Sequence, residues 1–136
     1  MFGEENIYGT YQMTKDEKNR VFLPTQTRAE KGDVLIVFSM DGELYLMNKI
    51  VADKVISDLN ERILYAPNNE TRLQLKKQLD ELTEHFIKTI KVGTAGRVSL
   101  SKIVDSKNIT GIGQGKMFKI IDSKKSKYVG ENKKMD

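Results

Sequence analysis

The residues with most to offer chemically are basic, and they gather at a corner. Thr14-Lys15-Asp16-Glu17-Lys18-Asn19-Arg20-Val21-Phe22-Leu23-Pro24 places five charges in the six positions from Lys15 to Arg20 and then turns apolar. A diluted copy follows at Lys91-Val92-Gly93-Thr94-Ala95-Gly96-Arg97-Val98-Ser99-Leu100-Ser101, with Arg97-Val98-x-Leu100 in the place of Arg20-Val21-x-Leu23. A corner exposing Lys15, Lys18 and Arg20 suits a polyanion such as duplex DNA, where each cation set on a phosphate releases a condensed counterion. The fork of Arg20 matches the two acceptors on a guanine edge, and Asn19 matches an adenine edge. Asp16 and Glu17 would repel phosphate, so their expected work is structural. In the second corner Arg97 is the matching candidate reader, with Lys91 and Lys102 as phosphate contacts. The same arginines have another use, bridging to Asp16 or other carboxylates inside the assembly, and the sequence leaves both uses open.

Other chemistries are thinly represented. The chain has no cysteine and one histidine, His85, which removes disulfides, thiol catalysis and Cys-based zinc sites. Gly111-Ile112-Gly113-Gln114-Gly115-Lys116-Met117 has three residues between its outer glycines, not four. It also carries Met117 where a phosphate loop needs the hydroxyl that holds magnesium. Ser99-x-x-Lys102 stands without the motifs that accompany a catalytic serine–lysine pair. No nucleophile has a base beside it. The expectation is a protein that is not an enzyme and uses no cofactor and no metal.

These candidates need elements to position them. Ile7–Met13 and Val21–Leu23 read as strands, the second stopped by Pro24, which cannot donate to a sheet ladder. A short helix is expected over Thr25–Lys31, ended by Gly32. Asp33–Phe38 and Leu44–Met47 read as a hairpin turned at Asp41-Gly42. The middle is helical. Ile50–Tyr65 carries Val55, Ile56, Leu59 and Ile63 on one face, Ala66-Pro67-Asn68-Asn69 breaks it, and Glu70–Phe86 carries Leu75, Leu79, Leu82 and Phe86 at helical spacing. That stripe is expected to pack inside its own subunit, with subunit contacts as the alternative. Strands resume at Ile90–Val92, Val98–Leu100 and Met117–Ile121, with a short helix expected over Ser101–Lys107. From Ser123 the tail holds five lysines and is expected to be disordered alone.

The order is therefore β-corner-β, short helix, β-hairpin, two helices, then the first pattern again, an internal repeat around a helical insert. The chain divides into a first β unit (1–49), an insert (50–87), a second β unit (88–122) and a basic tail (123–136). Neither unit has enough apolar strand to fold alone, so the two are expected to intertwine around one barrel-like core. Charge is uneven too: Met1–Ile87 holds 11 Lys and Arg against 15 Asp and Glu, and Lys88–Asp136 holds 12 against 4. A positive second half suits a polyanion, and such a charge run serves equally as a solvated face.

At Asp16-x-x-x-Arg20-Val21-x-Leu23-Pro24 the chain resembles the AbrB/SpoVT swapped-hairpin family of bacterial transcription regulators, and within it the MraZ group, which carries two such units in one chain. Gly9-Thr10, Lys18-Asn19-Arg20, Pro24 and Arg28 match the first unit; Thr94-Ala95-Gly96-Arg97-Val98 and Ile112-Gly113-Gln114 match the second. The likeness spans about Phe2 to Asp122. The second corner departs from it, with Gly93 for the family's Asp and Ser101 for its Pro. The resemblance implies a mainly β fold with α, a double-psi or swapped-hairpin barrel built from two pseudo-repeated β units with a helical hairpin between them. In such a corner the Asp accepts bonds from the backbone and holds the arginine, which is the role implied for Asp16.

The resemblance further implies a homo-oligomeric, ring-like regulator, expected to be a repressor, that binds short repeats on double-stranded DNA upstream of a division and cell-wall gene cluster. The expected location is cytoplasmic and nucleoid-associated, with no membrane segment. Two alternatives stand beside this reading. One is an AbrB-type antitoxin whose basic C-terminal tail takes a protein partner. The other is an oligomeric assembly protein that binds no DNA.

Overall fold

The computed structural model describes residues 1–40, 43–100 and 107–123. Eight strands and two helices follow one another as β1 (Ile7–Thr14), β2 (Arg20–Phe22), β3 (Val34–Met40), β4 (Glu43–Asn48), α1 (Lys49–Leu64), α2 (Asn69–Glu84), β5 (Phe86–Lys91), β6 (Arg97–Ser99), β7 (Asn108–Gly115) and β8 (Met117–Asp122). The molecule is mainly β with α, as expected. Six strands form an antiparallel sheet in the order β1-β7-β8-β4-β3-β5, and β2 pairs with β6 in a separate two-stranded ribbon. The ladder is open: β1 and β5 are its two ends.

The two halves interlock. The first strand of each half pairs with the hairpin of the other, β1 with β7 and β5 with β3. Two further pairings locate a pseudo-twofold axis. Val21 stands opposite Val98, its counterpart in the corner repeat. Tyr45 stands opposite Lys119, its counterpart in the hairpin repeat. An axis through both pairs relates the halves, so the repeat seen in the sequence is also a repeat in space.

Period-2 alternation decides what each strand buries. Leu35, Val37, Leu44, Leu46, Phe118 and Ile120 point to one face of the sheet, and the ribbon covers that face with Val21, Leu23, Val98 and Leu100. The other face, with Ile36, Phe38, Tyr45 and Met47, packs on α1 through Ala52. Three layers result: ribbon, sheet, helices. α1 starts at Asn48, whose side-chain oxygen accepts the Ile50 N–H at 2.9 Å, and α2 starts at Asn68, which caps the Thr71 N–H at 2.8 Å. Both are favoured capping residues for that geometric reason.

Two expectations here need correction, and three fall outside the described residues. The short helix expected over Thr25–Lys31 is cut back to a single turn of 3-10 helix over Thr25–Thr27. The Thr27 hydroxyl bonds back to the Pro24 carbonyl at 2.6 Å, and Arg28 then takes a left-handed φ of 57°, so the local bonds compete with helix and win. Phe86 does not belong to the second helix: it opens β5 opposite Phe38, because ladder pairing outweighs a side-chain spacing that merely allowed one more turn. Finally, the Asp41-Gly42 turn, the short helix over Ser101–Lys107 (apart from Lys107) and the tail from residue 124 lie outside the described residues.

Candidate nucleic-acid interface

The first corner closes by hydrogen bonds that its sequence makes available. The Asp16 N–H donates to the Arg20 carbonyl at 2.9 Å, and the Asn19 N–H to the Asp16 carbonyl at 3.0 Å. Asn19 sits at a φ of 61°, which Asn tolerates better than most residues. The Asp16 carboxylate accepts the N–H groups of Lys18 at 2.9 Å and Arg20 at 2.8 Å. Its second oxygen accepts the Arg20 Nε–H at 2.8 Å. These donors, led by the Arg20 backbone N–H, hold the Asp16 carboxyl below its ordinary value, against a smaller opposing effect of desolvation.

The second corner repeats the two closing backbone hydrogen bonds, with Ala95 also left-handed at a φ of 61°, and drops the acid. The Gly93 N–H donates to the Arg97 carbonyl at 2.7 Å, and the Gly96 N–H to the Gly93 carbonyl at 3.3 Å. Gly96 takes the left-handed place of Asn19, with a φ of 77°. The corners also tie to each other: the Leu100 N–H donates to the Asn19 carbonyl at 3.0 Å, and the Leu23 N–H to the Gly96 carbonyl at 2.9 Å.

The ribbon then sets the two arginines. Val21 and Val98 point into the core at the axis, so the alternate residues Arg20, Phe22, Arg97 and Ser99 form its outer face. Arg20 stands opposite Ser99 and Arg97 opposite Phe22. The two arginines are thus diagonal neighbours, on the order of 7–8 Å apart at the backbone. Asp16 holds Arg20 by Nε alone, and among the described residues no partner takes its two terminal nitrogens. The two open uses of Arg20 therefore coexist: it bridges to Asp16 and keeps its fork available.

The other candidates divide. Lys18 and Asn19 are exposed at the corner tip, and Lys91 is exposed at the end of β5. Lys102 lies outside the described residues. Lys15 is a correction: it was expected at the surface, yet it is only 7% exposed. By the corner repeat it stands where Val92 stands, and Val92 is a core residue; a lysine stem is apolar enough to be drawn into such a slot. Phe22 was missed. It is 52% exposed, and a large aromatic at an outward position between buried Val21 and Leu23 was the available signal.

Elsewhere, a cleft of about 350 Å³ lies between the helices and the outer sheet face, lined by Ile36, Phe38, Ile56, Leu82 and Phe86 among others. Among the described residues no group of three His, Cys, Asp or Glu side chains is placed to hold a metal, and no helix is long and apolar enough to cross a membrane. Neither a family model nor a curated protein matches the sequence.

Proposed function

We propose that this protein is a sequence-specific, double-stranded-DNA-binding transcriptional regulator of the AbrB/SpoVT swapped-hairpin kind, most similar to the MraZ group. The observation that carries the reading is the outer face of the β2–β6 ribbon, where Arg20 and Arg97 flank an axis with their backs to a buried valine pair. A two-stranded ribbon fits the major groove, and an arginine fork fits the O6 and N7 acceptors of guanine there. Lys18 and Lys91 would serve as phosphate contacts, and the pairing of β1 with β7 and β5 with β3 across the two halves supports the swapped-hairpin reading.

One ribbon offers few contacts, so useful affinity calls for several copies on repeated sites, where linkage raises apparent affinity by about 10²–10⁴. A ring-like homo-oligomer supplies them. Exposed Leu64, Tyr65, Leu73 and Phe86 on and beside the helical hairpin are the apolar surface that such an assembly would use. Within this reading the site of action is the nucleoid, and the expected effect is repression.

The test is fluorescence anisotropy of a selected duplex titrated with wild type, Arg20→Ala and Lys18→Ala across a salt series. Arg20→Ala is expected to lose about 1–3 kcal/mol of discrimination against the wrong base, and Lys18→Ala to weaken all sequences alike and flatten the salt slope by about 1. Absence of any duplex binding at low salt, where screening is least, overturns the reading.

A further inference from the structure

The two corners share their closing backbone hydrogen bonds and differ in the side chain four residues before the arginine. Asp16 and Gly93 occupy the same place, each donating its N–H to the carbonyl of the arginine four residues on. Arg20 is pinned at Nε by the Asp16 carboxylate. Among the described residues no side chain pins Arg97, and its guanidinium lies over Gly93, where Asp16's counterpart carboxylate would stand.

The glycine is not demanded by the backbone. Gly93 has φ −94° and ψ −168°, an extended conformation open to any residue. A Cβ built there would meet the Arg97 carbonyl oxygen at 3.5 Å and the Arg97 Nε and Nη2 at 3.6 Å each, all ordinary contacts. An aspartate at 93 would therefore fit, with its carboxylate beside the Nε of Arg97, as Asp16 is beside that of Arg20.

Resting on the DNA-binding reading above, we propose that the ribbon recognises an asymmetric duplex site because Asp16 positions Arg20 whereas Gly93 leaves Arg97 unpositioned. A symmetric pair of readers calls for a palindromic site, since the symmetry of the site mirrors that of the protein. Here the pinned arginine presents its terminal nitrogens in one orientation and reads a base. The unpinned one swings to whichever phosphate or acceptor is near and adds attraction without sequence information. Asp16 is a positioning residue, acting through Arg20.

Two measurements on the full chain test this. The first needs no DNA: in the arginine Nε–H NMR spectrum, Arg20 is expected to give a signal protected from solvent exchange and Arg97 an unprotected one. Gly93→Asp is expected to protect Arg97, and Asp16→Gly to strip protection from Arg20. Equal protection of the two arginines in wild type overturns the proposal.

The second uses a duplex selected by wild type from a random pool, with bases then changed in one half of the site or the other. Changes under the first corner are expected to weaken binding about 10- to 100-fold, and changes under the second by less than about threefold. Gly93→Asp is expected to raise the second penalty, and Asp16→Gly to lower the first. Equal penalties in wild type overturn the asymmetry while leaving DNA binding intact; no retained duplex at low salt overturns DNA binding itself. If one variant fails to fold, the other and the wild-type comparison still decide.

Discussion

The Asp16 carboxylate divides its oxygens, one accepting the backbone N–H groups of Lys18 and Arg20 and the other the Arg20 guanidinium. Replacing it with alanine leaves those donors to solvent and frees the arginine, so Asp16→Ala is expected to lower Tm by a few degrees and weaken specific binding more than non-specific binding. The pH dependence follows from the same bonds. Because the folded-state pKa of Asp16 is depressed, its stabilisation is fully present above the ordinary aspartate value and fades as pH falls through the depressed one. Acid titration of stability should show this loss in wild type and lack it in Asp16→Asn. Lys119 behaves oppositely. Its ammonium bonds Glu43 at 2.6 Å, which raises its pKa. Its stabilisation is complete below the ordinary lysine value and is lost as pH rises through the raised one. Lys119→Met should remove that alkaline component.

At the scale of the elements, the close approach of β1, β7 and β8 rests on glycines that cannot be enlarged. A Cβ at Gly113 would lie 2.5 Å from the Ile7 carbonyl oxygen, which is backbone and cannot step aside, whereas one at Gly111 would run into the Phe118 ring. Gly113→Ala is therefore expected to destabilise by about 1–3 kcal/mol or more, read by denaturant midpoint, and to expose the β1 amides to hydrogen exchange. The ribbon is held from beneath. Leu100, fully buried under it, is expected to cost about 2–5 kcal/mol when cut to alanine. Because the ribbon carries Arg20 and Arg97, Leu100→Ala is expected under the DNA-binding proposal to lower duplex affinity at temperatures where the rest of the sheet is still folded.

The whole molecule is tied by pairings far apart in the chain, such as Ile7 with Gly115. Such a topology closes slowly, because loop entropy is lost before the contacts form. It also makes the helical hairpin dispensable as a covalent link: the six-stranded sheet already joins both halves through β1·β7, β4·β8 and β3·β5. A single proteolytic cut in Ala66–Asn68 is accordingly expected to leave the two fragments together on a sizing column. They should separate only in denaturant, as one cooperative transition. Separation under native conditions would contradict the shared core.

The sequence by itself determined most of the strands, the helical insert and the repeat of the corners, and it singled out Arg20 and Arg97 as candidates. Those are local properties, set by alternation, helical spacing and the recurrence of Arg-Val-x-Leu. Asp16 was legible as a structural acid because phosphate contact is closed to it. What the tertiary structure alone decided was partnership. It moved Phe86 from helix to strand, cut the Thr25–Lys31 helix back to one turn, drew Lys15 inward and set Phe22 opposite Arg97. It also gave an open six-stranded sheet where a barrel-like core was expected. Each of those depends on which distant backbone offers hydrogen bonds and which slot faces the core, and neither is encoded in the spacing of neighbouring residues.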